Sequence, residues 1–212
     1  MSINATDLYE DGPAAGAKAK ILLIHFDGAI DAGGAGRMAI GQMLRSLHNE
    51  RVATFDADAL VDYRSHRPII TVEDWVSSPD MVMPQTVLDL VEDDMGNPIL
   101  VLHGAEPDAH WESFTNAISG ICERAGVEIT FSLHGVPSGV PHTRPTPVHV
   151  QATDASLLPA GGATIANHMQ FPAPLSTFVQ IRMGQRGLGG LARLGAVPVY
   201  MADTGYPAAA SA

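Results

Sequence analysis

Six side chains in this sequence have the type and placement to bind a small molecule or act on one: Asp27, Asp31, Glu106, Asp108, His142 and Arg144. Asp27 and Asp31 lie in the turn Asp27-Gly28-Ala29-Ile30-Asp31-Ala32-Gly33-Gly34-Ala35-Gly36. A helix starting after such glycines presents free backbone N–H groups to an anion, but two adjacent carboxylates repel phosphate unless a cation intervenes. The other reading is a tight turn with close strand–helix packing, in which Asp31 caps the helix. Glu106 and Asp108 flank Pro107, and paired carboxylates can exchange protons or hold a hard cation. Alternatively, Asp108 caps the helix that carries Trp111 and Glu106 stays exposed. Arg144 has the planar fork that grips carboxylate or phosphate, and His142 can carry a proton near neutral pH. Equally, Arg144 can tie its loop to Asp27, Asp31 or Glu106, with His142 bonded to backbone.

The standard signatures are missing. Gly28, Gly33, Gly34 and Gly36 do not fit G-x-G-x-x-G, and there is no G-x-x-x-x-G-K-[ST] or G-x-S-x-G. The nine histidines form no H-E-x-x-H and have no cysteine partners, so neither a metal nor a cofactor is expected. Cys122 is the single cysteine. It cannot form an internal disulfide, and its apolar helical surroundings mark it as a small buried hydrophobe in a reducing compartment.

The elements that must position these residues follow from apolar patterning. Ile21 to Phe26 is a short apolar run without alternation, as in a strand buried on both faces. Ile40, Met43, Leu44 and Leu47 then recur at helical spacing. Val52 to Phe55 is a second strand, Ile69 to Val72 a further short one, and Val87 to Glu92 with Ile99 to Leu102 a hairpin across Asp93–Asn97. A helix is expected from about Asp108 to Ala125, stopped by Gly126. A strand from Val127 to Leu133, one from Val148 to Ala152, and a helix from Pro174 to Gly184 come next. The glycines from Gly184 to Gly190 read as a helix end and a flexible loop, and Pro198 in the last strand, Leu194 to Met201, reads as an edge or a bulge. The expected organisation is a flexible tail over residues 1–18, one α/β domain over 19–207 and a short tail over 208–212. Strands alternating with helices predict a mixed, mainly parallel sheet covered on both faces. Ligands bind such sheets beyond the carboxyl ends of the strands, where the loops Phe26–Gly36, Gly104–Asp108 and His134–Pro145 can converge on one crevice.

Charge narrows the function classes. The chain carries −11 overall; residues 1–139 hold 8 basic and 21 acidic residues, whereas residues 140–212 hold 4 basic and 2 acidic. Such a balance opposes nonspecific binding to nucleic acid. The imbalance reads either as a solvated acidic face or as complementarity between subunits or toward a basic partner. No apolar run reaches the roughly 20 residues that span a bilayer, and the acidic N-terminus lacks a signal-peptide pattern, so a cytoplasmic protein is expected.

Several motifs, in order, resemble one family: Phe26-Asp27-Gly28, Asp31-Ala32-Gly33, Val52-Ala53-Thr54-Phe55-Asp56, Asp62-Tyr63-Arg64, Arg67-Pro68, Glu106-Pro107-Asp108 with Trp111, and Val140-Pro141-His142-Thr143-Arg144-Pro145. The pattern is similar to the actinobacterial branch of the proteasome-assembly-chaperone family over roughly residues 20–185. The resemblance implies a three-layer α/β/α sandwich, phosphorylase/hydrolase-like, in a homo-oligomer, with a trimer as the expected assembly. Its eukaryotic relatives help proteasome rings assemble and are not enzymes. Two departures stand out: Val199 occupies a place where this branch often has histidine, and an Ala-rich tail follows Tyr206-Pro207 where the branch commonly continues in helices. The expected function is that of a non-catalytic, self-associating protein that binds another protein, as an assembly chaperone does. The alternative is a phosphorylase/hydrolase-like enzyme or sensor acting on a small anionic or nucleoside-like ligand.

Overall fold

A computed structural model describes residues 4–28, 30–159, 168 and 170–212. In chain order the elements are β1 (Tyr9–Asp11), β2 (Ile21–Asp27), α1 (Ala35–Ser46), β3 (Asn49–Phe55), α2 (Ala57–Leu60), β4 (Ile69–Glu73), β5 (Val76–Val82), β6 (Thr86–Glu92), β7 (Pro98–Ala105), α3 (Trp111–Ala125), β8 (Ile129–Ser138), β9 (Val148–Ala152), α4 (Leu175–Gly184), β10 (Gly189–Pro198) and α5 (Pro207–Ala210). Eight strands form one sheet in the order β1-β3-β6-β7-β2-β8-β10-β9, while β4 and β5 pair only with each other. The central strands β7, β2, β8 and β10 are mutually parallel, and β3 runs in the same direction. Only β1, β6 and β9 run the other way, so the sheet is mixed and mainly parallel, as expected.

The apolar run of β2 is buried on both faces because it lies mid-sheet. Leu22 and Ile24, with Leu100 and Leu102 of the paired β7, face Phe114 and Ile118 of α3 and Val179 of α4. Leu23 and Val101 face the other way, onto Ile40, Met43 and Leu44 of α1. Each fully buried side chain of this size contributes about 1.5–3 kcal/mol. Helix α5 joins the α1 layer through Ala209, which packs with Ala35, Val197 and Tyr206. The result is three layers, α/β/α.

Several boundaries differ from the sequence reading. Residues 4–18, expected as a flexible tail, instead contribute β1 to the sheet edge and bury Leu8 completely. The expected tail over 208–212 likewise begins inside α5. Helix α3 starts at Trp111 rather than Asp108, and Asp108 does not cap it; His110, with φ 57°, occupies the cap position. Gly126 ends α3 with φ 81°, a left-handed turn in which glycine carries no Cβ penalty. Gly189 and Gly190 open β10 rather than a loop, and β10 lies between β8 and β9 rather than at an edge. Pro198 is tolerated there because β9 pairs β10 only as far as Gly195, so that Pro198 has a neighbouring strand on one side alone. Among the described residues no helix is long and apolar enough to cross a membrane.

The β4–β5 hairpin is unlike the rest. Ile69, Ile70, Val72, Val76, Met81 and Val82 are all exposed, and Trp75 at its tip is 99% exposed. Asp74 and Trp75 have φ 49° and 64°, the two left-handed residues of a type I′ hairpin turn.

Candidate functional site

The strand ends β2 and β8 meet at Asp31. Its Oδ1 accepts the backbone N–H of Gly36 at 2.8 Å and of Gly135 at 2.9 Å, and Oδ2 accepts that of Arg37 at 3.0 Å. Gly36 and Arg37 are the second and third residues of α1, whose N–H groups lack helical partners. Asp31 therefore does the work of a cap from outside the cap position, held by Gly34 in a left-handed conformation (φ 58°). The helix N-terminus that could have received a ligand anion is filled by the protein's own carboxylate.

Two histidines flank it. His25 is 2% exposed; its Nδ1 donates to the Leu133 carbonyl at 3.0 Å, and its Nε2 lies 3.7 Å from Asp31 Oδ2 without a hydrogen bond among the described residues. His134 Nδ1 donates to the Ile30 carbonyl at 2.9 Å, so its Nε2 is the acceptor for the Ser176 hydroxyl at 3.1 Å. Burial holds the His134 imidazole below the ordinary value of 6.5, and the nearby His25 adds to this; the Ile30 carbonyl, Asp31 and Glu106 oppose it. Hydroxyl, imidazole and orienting carbonyl have the arrangement of a nucleophile and its base. Ser176 is only 1% exposed, however, and does not line the adjoining crevice. The bond joins β8 to α4 and fixes the His134 ring.

That crevice has a volume of about 610 Å³. Ile30, Val136, Pro137, Phe171 and Leu194 supply much of its apolar wall. Its charged lining residues are Asp31 and Asp203, and no Lys or Arg lines it among the described residues. The first and third of the three expected loops thus meet here, through Gly28, Asp31 and His134 to Pro137. The loop from Gly104 to Asp108 does not line the crevice.

The other sequence candidates are dispersed. Asp27 is exposed at the end of β2. Glu106 is half-buried rather than exposed, and its Oε1 accepts the Leu175 N–H at 2.7 Å, anchoring the first residue of α4. Asp108 Oδ2 accepts from Asp62 N at 2.7 Å and Ser65 Oγ at 3.0 Å, with His66 Nδ1 at 3.3 Å. Its carboxylate orders the 62–66 turn instead of a helix start. His142 is exposed and bonds to Tyr200, through its backbone N at 3.0 Å and Nδ1 at 2.8 Å. Arg144 is exposed and forms no ion pair among the described residues; the expected tie to Asp27, Asp31 or Glu106 is not made. Asp31 and Glu106 instead take their hydrogen bonds from backbone donors.

A second polar cluster escaped the sequence reading. Asp89 of β6 is almost fully buried and is bound by Arg51 Nε at 2.5 Å and His103 Nε2 at 2.8 Å. Burial pushes its carboxyl up, but hydrogen bonds from His103 and Arg51 outweigh it and hold the group below the ordinary value. The signal available was a lone carboxylate inside an apolar strand, which must be paired if buried.

Comparison with known proteins fits this geometry. Residues 25–212 match the PAC2 family. The chain belongs to that family. Among solved structures, this PAC2 chain is similar to the Mycobacterium tuberculosis protein of unknown function Rv2714, with 34% identity and a TM-score of 0.88, over 96% of this chain and 71% of that one. It is also similar to the M. tuberculosis proteasome-assembly chaperone homologue Rv2125, with 23% identity and a TM-score of 0.81, over 90% and 80% of the two chains. Pyrococcus furiosus PbaB, an archaeal proteasome activator, matches at 13% identity and a TM-score of 0.67, over 97% and 83%. The last two likenesses show the shared fold. No curated protein matches the sequence.

Proposed function

We propose that this PAC2 protein is a non-catalytic, self-associating, cytoplasmic protein that binds protein partners as an assembly chaperone does, and that its own copies form a trimer. The observation that carries the reading is the β4–β5 hairpin. A two-stranded sheet standing alone is marginally stable in water, and this one exposes Ile69, Ile70, Val72, Trp75, Val76, Met81 and Val82 together. Contiguous apolar surface of this kind marks protein–protein contact, and aromatic anchors dominate such interfaces. The names of two relatives of the same fold, a proteasome-assembly chaperone homologue and a proteasome activator, point the same way.

Against the enzyme alternative stand two features of the crevice: Asp31 occupies the helix N-terminus, and no described cation lines the wall to receive an anionic substrate. The test is the mass in solution, by light scattering after size-exclusion chromatography at micromolar concentration. The expected result is three times the 22.3 kDa chain mass, falling to one when Trp75 and Ile70 are both replaced by serine. A parent chain that elutes as a clean monomer overturns the self-association reading.

A further inference from the structure

The hairpin is acidic as well as apolar. Between Ile69 and Val82 its charges are Glu73, Asp74 and Asp80, with no Lys or Arg. A surface that covers its tip should therefore combine apolar area with positive charge. The crevice has apolar walls, but its lining charges are Asp31 and Asp203, so it repels the tip. The surface where the turn after β10 meets the β8–β9 loop sets a cation, Arg144 of that loop, beside apolar area, with Asp203 three residues beyond Tyr200. Val199 and Tyr200 are 62% and 65% exposed, and the Tyr200 ring meets His142 edge-on with centroids 5.9 Å apart. The Tyr200 oxygen accepts the His142 backbone N–H, which leaves its own proton for His142 Nδ1. That pair of bonds holds an exposed aromatic ring in one place, so little rotamer entropy is lost when a partner covers it. Arg144, two residues from His142 in the β8–β9 loop, is exposed and has no ion pair among the described residues.

We infer that the surface formed by His142, Arg144, Val199 and Tyr200 is the seat for the hairpin tip of a second copy of this chain. Trp75 lies on Tyr200 and under the Arg144 guanidinium, a stacked cation–π arrangement, and Arg144 meets the carboxylates of Glu73 and Asp74. Tip and seat are different parts of one chain, so the contact can be exchanged reciprocally in a two-fold dimer or repeated head-to-tail; in the trimer proposed above it repeats head-to-tail, and three contacts close the ring. This inference rests on the self-association reading above and adds the acceptor surface to it.

Charge reversal tests it. Arg144→Glu is compared with Glu73→Lys/Asp74→Lys and with a chain carrying all three changes, with the dissociation constant of the assembly measured by sedimentation. All three positions are on the surface, and an unchanged Tm checks the fold of each variant. The expected result is at least about tenfold weaker assembly for Arg144→Glu and for the hairpin pair, with recovery to within about threefold in the combined chain. If the hairpin pair weakens assembly while Arg144→Glu does not, the seat is wrong and the self-association reading survives. If both weaken it and the combined chain does not recover, tip and seat do not touch, and the seat is again wrong. If the parent is a monomer at every concentration, the seat falls together with that reading.

Discussion

Asp31 and His134 hold the strand ends together by different means. Asp31 satisfies three backbone donors from two elements, and each buried donor left without a partner would cost about 1–3 kcal/mol. His134 has both ring nitrogens engaged and is held neutral by burial, with a folded-state value below the ordinary 6.5. A group of this kind takes up its proton more readily in the unfolded chain. Between the unfolded value of about 6.5 and the lower folded value, unfolding therefore gains protons, and stability falls as pH falls. The expected outcome is a urea-unfolding free energy that declines below about pH 6.5, with a contribution from His134 of at most about 1.4 kcal/mol per pH unit. The difference between parent and His134→Gln, measured from pH 8 to pH 5, isolates that contribution; a pH-independent difference would refute it. The sequence made Asp31 legible, because a carboxylate in a glycine-rich turn ahead of a helix has a recognisable job. It hid the partners of His134 and Glu106, because Ser176 lies 42 positions from His134 and Leu175 lies 69 from Glu106. Only the fold brings those pairs together.

Among the elements, the most legible were those whose patterning matched their environment. Strand β2 reads as a buried run because it is one, and α3 keeps Phe114, Ile118 and Ile121 on its buried face. Strand β1 was hidden because Tyr9-Glu10-Asp11 carries almost no apolar signal; its place comes from pairing with β3 and from Leu8 beside it. The start of β10 was hidden by Gly189 and Gly190, which read as a loop. Gly190 is needed as glycine because a Cβ there would stand 3.0 Å from that of Gln180 on α4. The same logic is stronger at Gly135, where a Cβ would overlap the Ala32 carbonyl oxygen of the first turn. The Ala32 carbonyl is backbone, so it cannot swing aside. Gly135→Ala is therefore expected to destabilise the fold by roughly 1–3 kcal/mol, the usual cost of overpacking. Gly139→Ala, four residues beyond the β8–Asp31 contact and with nothing within 4 Å of the added carbon, is expected to stay within about 0.5 kcal/mol of the parent. Denaturant midpoints of the two variants make the comparison, and equal midpoints would show that the first turn shifts freely against β8.

For the molecule as a whole, composition revealed the charge partition but not the strand order, which depends on pairings across the chain. The partition has a kinetic consequence. Residues 1–139 carry an excess of 13 negative charges and residues 140–212 an excess of 2 positive ones. Like copies carrying −11 each repel at long range, yet the acidic tip of one and Arg144 of another attract when they approach in one orientation. Salt shortens the reach of both effects, from a Debye length of about 30 Å at 0.01 M to about 3 Å at 1 M. Once the contact has formed, its apolar centre of Trp75 against Tyr200 is indifferent to screening. If orienting attraction outweighs net repulsion, association slows with salt while dissociation barely changes, as for other charge-steered interfaces. The expected outcome is an association rate at least about fivefold lower in 0.5 M than in 0.02 M sodium chloride, with dissociation altered by less than about twofold. Subunit exchange between two fluorescently labelled pools, followed by energy transfer, supplies the dissociation rate, and reassembly after dilution and reconcentration supplies the association rate. An association rate that rises with salt would mean that net repulsion between acidic copies controls encounter, and that Arg144 does not guide the hairpin to its seat.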